Sequence, residues 1–339
     1  MPQQTNLNVA PYFDDFESGK DFHKVLFKPG YPVQARELST LQSILQNQIE
    51  KFGQHFFKEG SKVIPGNIGY SQLYFCVQLN NNFQGIPIEE YTDQLVGTTI
   101  TGKNSGVKAV VDKVLKAADS EKGNTTLYIN YLNSSTTNNS TQTFSDGEEL
   151  SCDTTITSGL LGNNSIAPGD SFAVTFATAA AQTGSSFQIQ DGIYFIRGNF
   201  VNVATETLIL DQYGTTPSYR VGLFVNEQII NADLDESLND NSQGYNNFSA
   251  PGADRLKITV NLFKKSLTDF DDNNFVELAT IESGSLRTLA KNSNYSQIGD
   301  EMARRTYDES GDYYVKPFDT TVLNSLNDNK GNRGVFQAG

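Results

Sequence analysis

One stretch of helical periodicity near the start of the chain is the feature that most constrains the fold. Between Val33 and Lys58, large apolar residues recur at steps of three and four, which is the spacing of one face of an α-helix. These residues are Leu38, Leu41, Leu45, Ile49, Phe52 and Phe56. A helix of about seven turns with a single apolar stripe is therefore predicted here. The patterns that follow it are typical of β-strands.

The remaining surface of this predicted helix is mostly neutral and polar, and includes Gln42, Gln46 and Gln54. Because few charges would keep it away from another protein, the stripe is predicted to bind a partner. The alternative, that the stripe packs against its own chain, is left open by the sequence. Gly53 costs up to about 1 kcal/mol relative to alanine inside a helix, so it indicates a kink or close packing. Gly60 suits the left-handed position that follows a helix.

The composition restricts the classes of partner. The 339 residues carry 25 Lys and Arg against 39 Asp and Glu, and the formal net charge of −14 repels phosphate backbones and anionic lipids. Nucleic acid is therefore not expected as a partner. Apolar runs of about 18 residues are absent and residues 1–9 lack signal-peptide features, so neither membrane insertion nor Sec secretion is expected. Cys76 and Cys152 are expected to be reduced thiols, because two distant cysteines make no disulfide framework.

Past the helix, alternating and β-branched residues predict strands joined by turn-rich segments. Strand-like patterns over 69–79, 95–114 and 126–132 predict a small β module. Residues 133–145 are nearly all Ser, Thr, Asn and Gln, a composition that cannot bury a surface. They are therefore predicted to form a polar loop, and this loop is the expected site of insertion.

A second β region is predicted after Gly169, with a two-residue hairpin turn at Asp191-Gly192. Two later strands each have one apolar face, formed by Tyr219, Val221, Leu223 and Val225 in the first and by Leu256, Ile258, Val260 and Leu262 in the second. Strands with one apolar face favour a two-layer sandwich. The acidic connection over 231–254 is unusually long, and one helical turn is predicted near 234–238.

These patterns together predict a mainly β protein with a long N-terminal α-helix, built as an antiparallel β-sandwich plus a smaller inserted β module. The predicted segments are an extended arm and long helix over 1–60, the β module with its polar loop over 61–168, the sandwich over 169–320 and a flexible tail over 321–339. Because residues 327–334 (NDNKGNRG) include no core-forming residues, the polypeptide is expected to continue past Gly339.

A short helix is predicted over 298–306, followed by a turn that begins at Tyr307 and a strand over 313–318. Arg304 and Arg305 lie close in sequence to Asp308 and Glu309. One interpretation is a local ion-pair network that stabilises the turn, and the other is a docking point for a neighbouring subunit.

The sequence contains no recognisable pattern of catalytic or cofactor-binding residues. His23 and His55 lie on different predicted elements, and no Cys/His group has zinc-ligand spacing. The acidic run from Asp269 begins like a calcium loop, but Asn274 and Thr280 replace the required glycine and glutamate. We therefore expect no metal, no cofactor and no enzymatic activity. A pair of carboxylates that hydrolyses glycosides stays an open possibility, because the distance between the two groups depends on the tertiary structure.

Several blocks of sequence resemble a known group of proteins. The blocks cover 11–53, 191–198 (DGIYFIRG), 249–258 (SAPGADRLKI) and 304–318 (RRTYDESGDYYVKPF). They resemble the N-terminal region of large tail and baseplate structural proteins of tailed bacteriophages, notably marine and cyanobacterial phages with contractile tails. The resemblance implies a virion component of the tail, the baseplate or an attached fibre, and it implies no enzymatic activity or cofactor.

The expected function is therefore structural, in the baseplate wedge or at the attachment of a tail fibre. The expected partners are other tail or baseplate proteins, in an oligomer that is assembled in the host cytoplasm and resides in the virion. The six stripe residues, together with Arg304 and Arg305, are the predicted interface. The first alternative is a tail module that binds a host surface glycan with exposed tyrosines and polar loops. A polysaccharide-degrading enzyme is the third hypothesis.

Overall fold

The computed structural model describes residues 4–64, 66–134, 141–157, 165–242, 244–289 and 294–311. Helix α1 spans Ala35–Phe56 and helix α2 spans Asn294–Ser310. Shorter 3-10 helices lie at Ser18–Lys20, Ile88–Glu90, Thr92–Leu95 and Glu236–Leu238. The long N-terminal helix is thus confirmed. It begins after Gln34 because the backbone N–H of Gln34 donates to the Glu37 carboxylate at 3.0 Å and forms a capping box.

The strands of the described residues, in chain order, are β1 (Lys62–Ile64), β2 (Ile68–Gln78), β3 (Asn82–Phe83), β4 (Ile86–Pro87), β5 (Thr99–Gly102), β6 (Lys108–Leu115), β7 (Thr126–Asn133), β8 (Glu149–Cys152), β9 (Ile156–Thr157), β10 (Ser165–Ile166), β11 (Ser171–Val174), β12 (Ala181–Ile189), β13 (Gly192–Ile196), β14 (Asn199–Val203), β15 (Glu206–Ile209), β16 (Tyr219–Ile230), β17 (Asn239–Asp240), β18 (Asn247–Pro251), β19 (Arg255–Ser266), β20 (Phe275–Glu282) and β21 (Ser285–Leu289). The chain is therefore mainly β, as predicted.

Three antiparallel sheets contain most of these strands. The largest has eight strands in the order β11-β8-β5-β6-β7-β2-β12-β15, the second has the order β19-β16-β20-β21, and the third has the order β1-β13-β14. β16 and β19 pair over their full length, from Tyr219 opposite Ser266 to Ile230 opposite Arg255. The long acidic connection joins the ends of these two strands and contains the short pair β17 and β18.

The eight-stranded sheet takes strands from both sides of the boundary predicted at residue 168. β2 lies between β7 and β12, so a strand that precedes the polar loop pairs with one that follows it. The apolar residues form two main cores. One lies around the β5 to β8 strands, and the other combines residues of β12, β13, β14, β16, β19 and β20. Both Cys76 and Cys152 are free and buried, as predicted.

The hairpin predicted at Asp191-Gly192 is wrong. β12 and β13 belong to different sheets, and β13 instead forms a hairpin with β14 through Arg197 and Gly198. These two residues have φ of +51° and +76°, the positive values that a two-residue type I′ turn requires. Gly192 has another role, because an added Cβ would lie 2.9 Å from the carbonyl oxygen of Ile64 on the neighbouring β1.

Two local predictions in the second half of the chain have different outcomes. The helical turn predicted near 234–238 is confirmed as the 3-10 helix Glu236–Leu238. The turn predicted from Tyr307 is wrong, because α2 continues to Ser310 and ends at Gly311, whose φ is +62°. The strand predicted over 313–318, residues 135–140 of the polar loop and the tail over 321–339 lie outside the described residues.

Candidate assembly surface

One side of α1 packs against its own chain through the buried Ile44 and through polar and small residues. Asp14 of the N-terminal arm is buried, and its carboxylate accepts hydrogen bonds from the hydroxyls of Thr40, at 3.2 Å, and Ser43. Gln46 donates its amide to the carbonyl of Gly198 at 3.0 Å and to the side-chain oxygen of Asn199 at 2.8 Å. Hydrogen bonds therefore hold this face of the helix to the arm and to the β13–β14 hairpin.

Gly53 is the point of closest approach between α1 and the hairpin. A methyl group at this position would overlap the ring of Phe195, which is buried. The prediction that Gly53 marks close packing is therefore confirmed. Just past the helix, the Phe57 ring lies 5.9 Å from the rings of both Phe195 and Phe200. Gly60 is left-handed as predicted, with φ of +77°, but it does not end the helix, which stops at Phe56; its N–H donates to the carbonyl of Phe195 at 2.9 Å.

The hairpin turn is itself held by a buried ion pair. Arg197 donates to the Glu227 carboxylate of β16 at 2.6 Å, and both side chains are less than a tenth exposed. The same guanidinium donates to the carbonyl of Asn273 and to the side chain of Asn274, each at 2.7 Å. These bonds keep Arg197 in its left-handed conformation and connect the hairpin beneath α1 to the four-stranded sheet.

Glu227 also holds the N-terminal arm. Its carboxylate accepts hydrogen bonds from the Thr5 backbone at 2.8 Å, the Thr5 hydroxyl at 2.6 Å and the Gln4 backbone at 3.1 Å. Burial alone would raise the pKa of Glu227, but the bonds from Thr5, Gln4 and Arg197 together lower it. By contrast, burial raises the pKa of Glu59, despite a hydrogen bond from the Arg197 N–H at 2.8 Å.

The opposite side of α1 carries the predicted stripe, and this side is open. Leu38 is 51% exposed, Leu45 57%, Ile49 47% and Phe52 65%. Leu41 and Phe56 are half-buried, and the Phe52 and Phe56 rings lie with their centroids 4.9 Å apart and their planes tilted by 56°. The structure therefore brings the six predicted residues together on one surface. None of the six belongs to the hydrophobic cores formed by the described residues.

Arg304 and Arg305 do not form the ion-pair network that was one interpretation of their sequence. Both are exposed on α2, and among the described residues neither pairs with Asp308 or Glu309. An arginine four residues before an acid on an exposed helix is the weaker orientation for an ion pair. From Tyr295 on, α2 belongs to a different unit of the chain from α1.

The acidic loop that begins like a calcium site is held by an arginine. Arg220 of β16 donates to Asp272 at 2.6 Å and to Glu277 at 2.6 Å, and its guanidinium also bonds the carbonyl of Asp269. Hydrogen bonds from Arg220 lower the pKa of Asp272. Within the described ranges, no group of three or more His, Cys, Asp or Glu side chains is placed to hold a metal ion.

Sequence reasoning missed the residues that hold α1, namely Asp14, Arg197 and Glu227. A signal for the inward face was present, since Thr40 and Ser43 lie three residues apart on the side of the helix away from the stripe. The Arg197–Glu227 pair had no such signal, because the two residues are 30 positions apart on different sheets.

Comparison with known proteins identifies a family. No curated protein and no solved structure matches the chain. Among the described helices, none is both long and apolar enough to cross a membrane. The sequence model of one family matches residues 10–121 and 149–337, and the unmatched interval contains the polar loop predicted as an insertion site. Because the match covers most of the chain, this protein belongs to the family described as a domain of unknown function, DUF4815.

Proposed function

We propose that this chain is a structural component of a tailed-phage virion, in the baseplate wedge or at the attachment of a tail fibre. Its role is assembly with other tail or baseplate proteins, and not catalysis. One observation carries the proposal: four of the six stripe residues of α1 are exposed to solvent, namely Leu38, Leu45, Ile49 and Phe52, while polar and small residues hold the other side to its own chain together with the buried Ile44. The sequence blocks that resemble phage tail proteins supply the context, because they include the whole stripe up to Phe52.

Burial of the apolar stripe against a partner is energetically favourable. Soluble monomers rarely expose contiguous apolar patches of more than a few hundred Å², and larger patches mark interaction sites. Each Å² of apolar surface removed from water contributes about 25 cal/mol. Residues of a helix at steps of three and four are also the usual contacts when a helix lies in a groove or beside another helix. Leu45 and Phe52 are therefore the proposed centre of the interface.

The anchoring of α1 supports the same role. Asp14, Gln46 and Gly53 hold the helix on the arm and the hairpin before any partner arrives. A surface that is already ordered loses little conformational entropy on association, so more of the buried apolar area is converted into affinity. The stripe is thus a preformed docking surface.

The scaffold we propose for this helix is an antiparallel β-sandwich with a smaller inserted β module. Support comes from the second core, in which Phe187 of β12, Val201 of β14 and Leu223 of β16 belong to one cluster although their strands lie in three sheets. Apolar faces of different sheets that share a core are the basis of a layered packing.

The proposal is tested by incorporation of variants into particles. A phage that lacks its own copy of the gene is complemented with the full-length protein carrying either L38Q/L45Q or L73Q/L132Q. The control pair replaces two leucines that are 61% and 58% exposed on β2 and β7, which matches the exposure of the stripe leucines. We expect L38Q/L45Q to reduce the number of copies per particle at least tenfold, and the control to have no effect.

Two outcomes would contradict the proposal. Normal incorporation of L38Q/L45Q would show that the stripe is not the assembly surface. An equal loss of incorporation for the two double variants would show that replacing any exposed leucines impairs the protein. Circular dichroism and urea unfolding of both purified variants establish that they are folded.

A host surface glycan is the second candidate ligand. Tyr31 is well exposed and lines an open cavity of about 290 Å³ with Phe27, Lys28 and Glu37, a combination of an aromatic ring with polar groups. The support for a sugar ligand is confined to this cavity, because Tyr74, Tyr91, Tyr128 and Tyr194 are buried and do not reach the surface. A glycan array on which the wild-type protein and Y31A give equal signals would eliminate this cavity as a sugar site.

A further inference from the structure

The stripe on α1 has a repeat of eleven residues. Each large apolar residue is followed eleven positions later by another: Leu38 by Ile49, Leu41 by Phe52 and Leu45 by Phe56. An eleven-residue repeat corresponds to about 3.67 residues per turn, which is close to the 3.6 of a straight α-helix. The stripe therefore runs almost along the helix axis, from Leu38 in the first turn of α1 to its last residue, Phe56.

The borders of the stripe are nearly uncharged. On a helix with 3.6 residues per turn, Ala35, Gln42 and Gly53 flank it on one side, and Glu37, Gln48 and His55 flank it on the other. The carboxylate of Glu37 accepts the hydrogen bond of the capping box. Selection of a different helix as partner ordinarily relies on charged residues at such flanking positions. The α1 borders hold almost none.

Like charges oppose most contacts between two copies of a chain whose net charge is −14. A neutral strip is where two copies approach at the lowest electrostatic cost. A two-fold interface also requires that one surface be complementary to itself. A stripe that repeats along its own length meets this requirement, because large apolar residues of one copy face large apolar residues of the other.

We infer that the partner that covers the stripe is α1 of a second copy of this chain. The two helices pack side by side, nearly straight or with the slight right-handed supercoil that an eleven-residue repeat favours. The inference rests on the proposed function, and it identifies the first neighbour in the assembly.

The available area is sufficient for such a pair. A stable interface needs about 800 Å² from each partner. The half-exposed stripe and the exposed arm residues Phe22, Leu26 and Phe27 together offer apolar area on the order of that value. Leu26 and Phe27 lie beside the first turn of α1, because they line one cavity with Glu37.

Sedimentation of the purified full-length protein tests the inference. We expect the wild type to self-associate at micromolar concentration, L73Q/L132Q to do the same, and L38Q/L45Q to associate at least roughly 100-fold more weakly. A wild type that is monomeric at 100-micromolar concentrations, or equal association of both pairs, would overturn the inference.

Disulfide trapping gives a second, site-specific readout. Because Cys76 and Cys152 are buried, a cysteine introduced at Leu45 is the exposed thiol of the described surface. We expect L45C to form a covalent dimer under mild oxidation and L73C, at similar exposure, to remain monomeric. The absence of a dimer with L45C while the wild type self-associates would place the contact elsewhere and overturn the inference.

The two proposals fail in different ways. If the wild type is monomeric but L38Q/L45Q is lost from particles, the stripe binds another protein: self-pairing is wrong and the assembly role stands. If the chain self-associates through the stripe but L38Q/L45Q enters particles normally, the assembly role is wrong and the pairing stands.

Discussion

Helix α1 and strand β16 are both amphipathic, but the apolar face of β16 is buried whereas most of the apolar stripe of α1 is exposed. In β16, the alternating residues Val221, Leu223 and Val225 are almost fully buried, as their pattern predicts. In α1, the patterned residues Leu45 and Phe52 are more than half exposed. An amphipathic pattern thus shows that a face is to be covered, and does not show whether the cover comes from the same chain or from another.

The contrast has a physical cause in what lies on the other side of each element. Leu223 enters a core built from several strands, which fills the space around a large side chain. The inward side of α1 instead has Gly53 against a buried phenylalanine ring, with Ser43 bonded to Asp14. Ile44 is buried on the inward side, but a side chain at Gly53 would overlap the Phe195 ring, so α1 packs closely there and most of the stripe remains outside.

The largest effect is expected from the ion pair beneath the inward side of α1. Arg197→Met removes the main partner of the buried Glu227 carboxylate, which should lower the free energy of unfolding by about 3–5 kcal/mol. Urea unfolding at pH 7 measures this loss. Lys20→Met is the control, because the Lys20–Glu17 pair is exposed and should contribute less than about 1 kcal/mol. Equal losses in the two variants would show that the buried pair has no special role.

A smaller effect is expected where α1 touches the hairpin. Gly53→Ala improves helix propensity by about 1 kcal/mol, but the new methyl group overlaps the Phe195 ring. We expect a net destabilisation of about 1–3 kcal/mol by urea unfolding, as for other overpacked sites. Gly69→Ala is the control, since no atom lies within 4 Å of the added Cβ. Stabilisation by Gly53→Ala would mean that the inward side of α1 is loosely packed.

The attachment of the arm should depend on pH. The pKa of Glu227 is lowered in the folded protein, so its contribution is complete above the unfolded pKa of about 4.3 and is lost as the pH falls through the lower folded value. We expect the difference in urea midpoint between wild type and Glu227→Gln to be largest near pH 7 and to shrink below about pH 4. Glu17→Gln, at an exposed position, provides the baseline. A difference that stays constant with pH would contradict the ionised pair.

The smallest effect is expected on the outward side of α1. For the monomeric protein at low concentration, Leu45→Ala should change the free energy of unfolding by less than about 0.5 kcal/mol, because the side chain is already in water. The same change at Leu223 should cost about 2–5 kcal/mol. Thermal unfolding at increasing protein concentration sharpens the contrast, since any stabilisation by self-association should appear in the wild type and be weaker in Leu45→Ala. A large loss for Leu45→Ala at low concentration would mean that the stripe belongs to the chain's own core.

Much of the fold follows from local patterns. The helix was predictable because six apolar residues repeat at its period, and the buried face of β16 was predictable because strand side chains alternate. In β19 the same pattern predicts burial correctly at Leu262 but not at Leu256, which is 36% exposed. Features that depend on distant residues were not. The hairpin forms at Arg197-Gly198 and not at Asp191-Gly192, because bonds from Arg197 to Glu227 and Asn274 hold its unusual backbone conformation.

The sequence by itself determined that α1 exists and that Leu38, Leu41, Leu45, Ile49, Phe52 and Phe56 share one side of it, because helical geometry alone relates neighbours three and four residues apart. Only the tertiary structure decided which side faces inward. That choice depends on Asp14 reaching Ser43, on Gln46 reaching the hairpin and on Gly53 admitting the Phe195 ring. Such contacts join residues that are distant in sequence, and no local period encodes them.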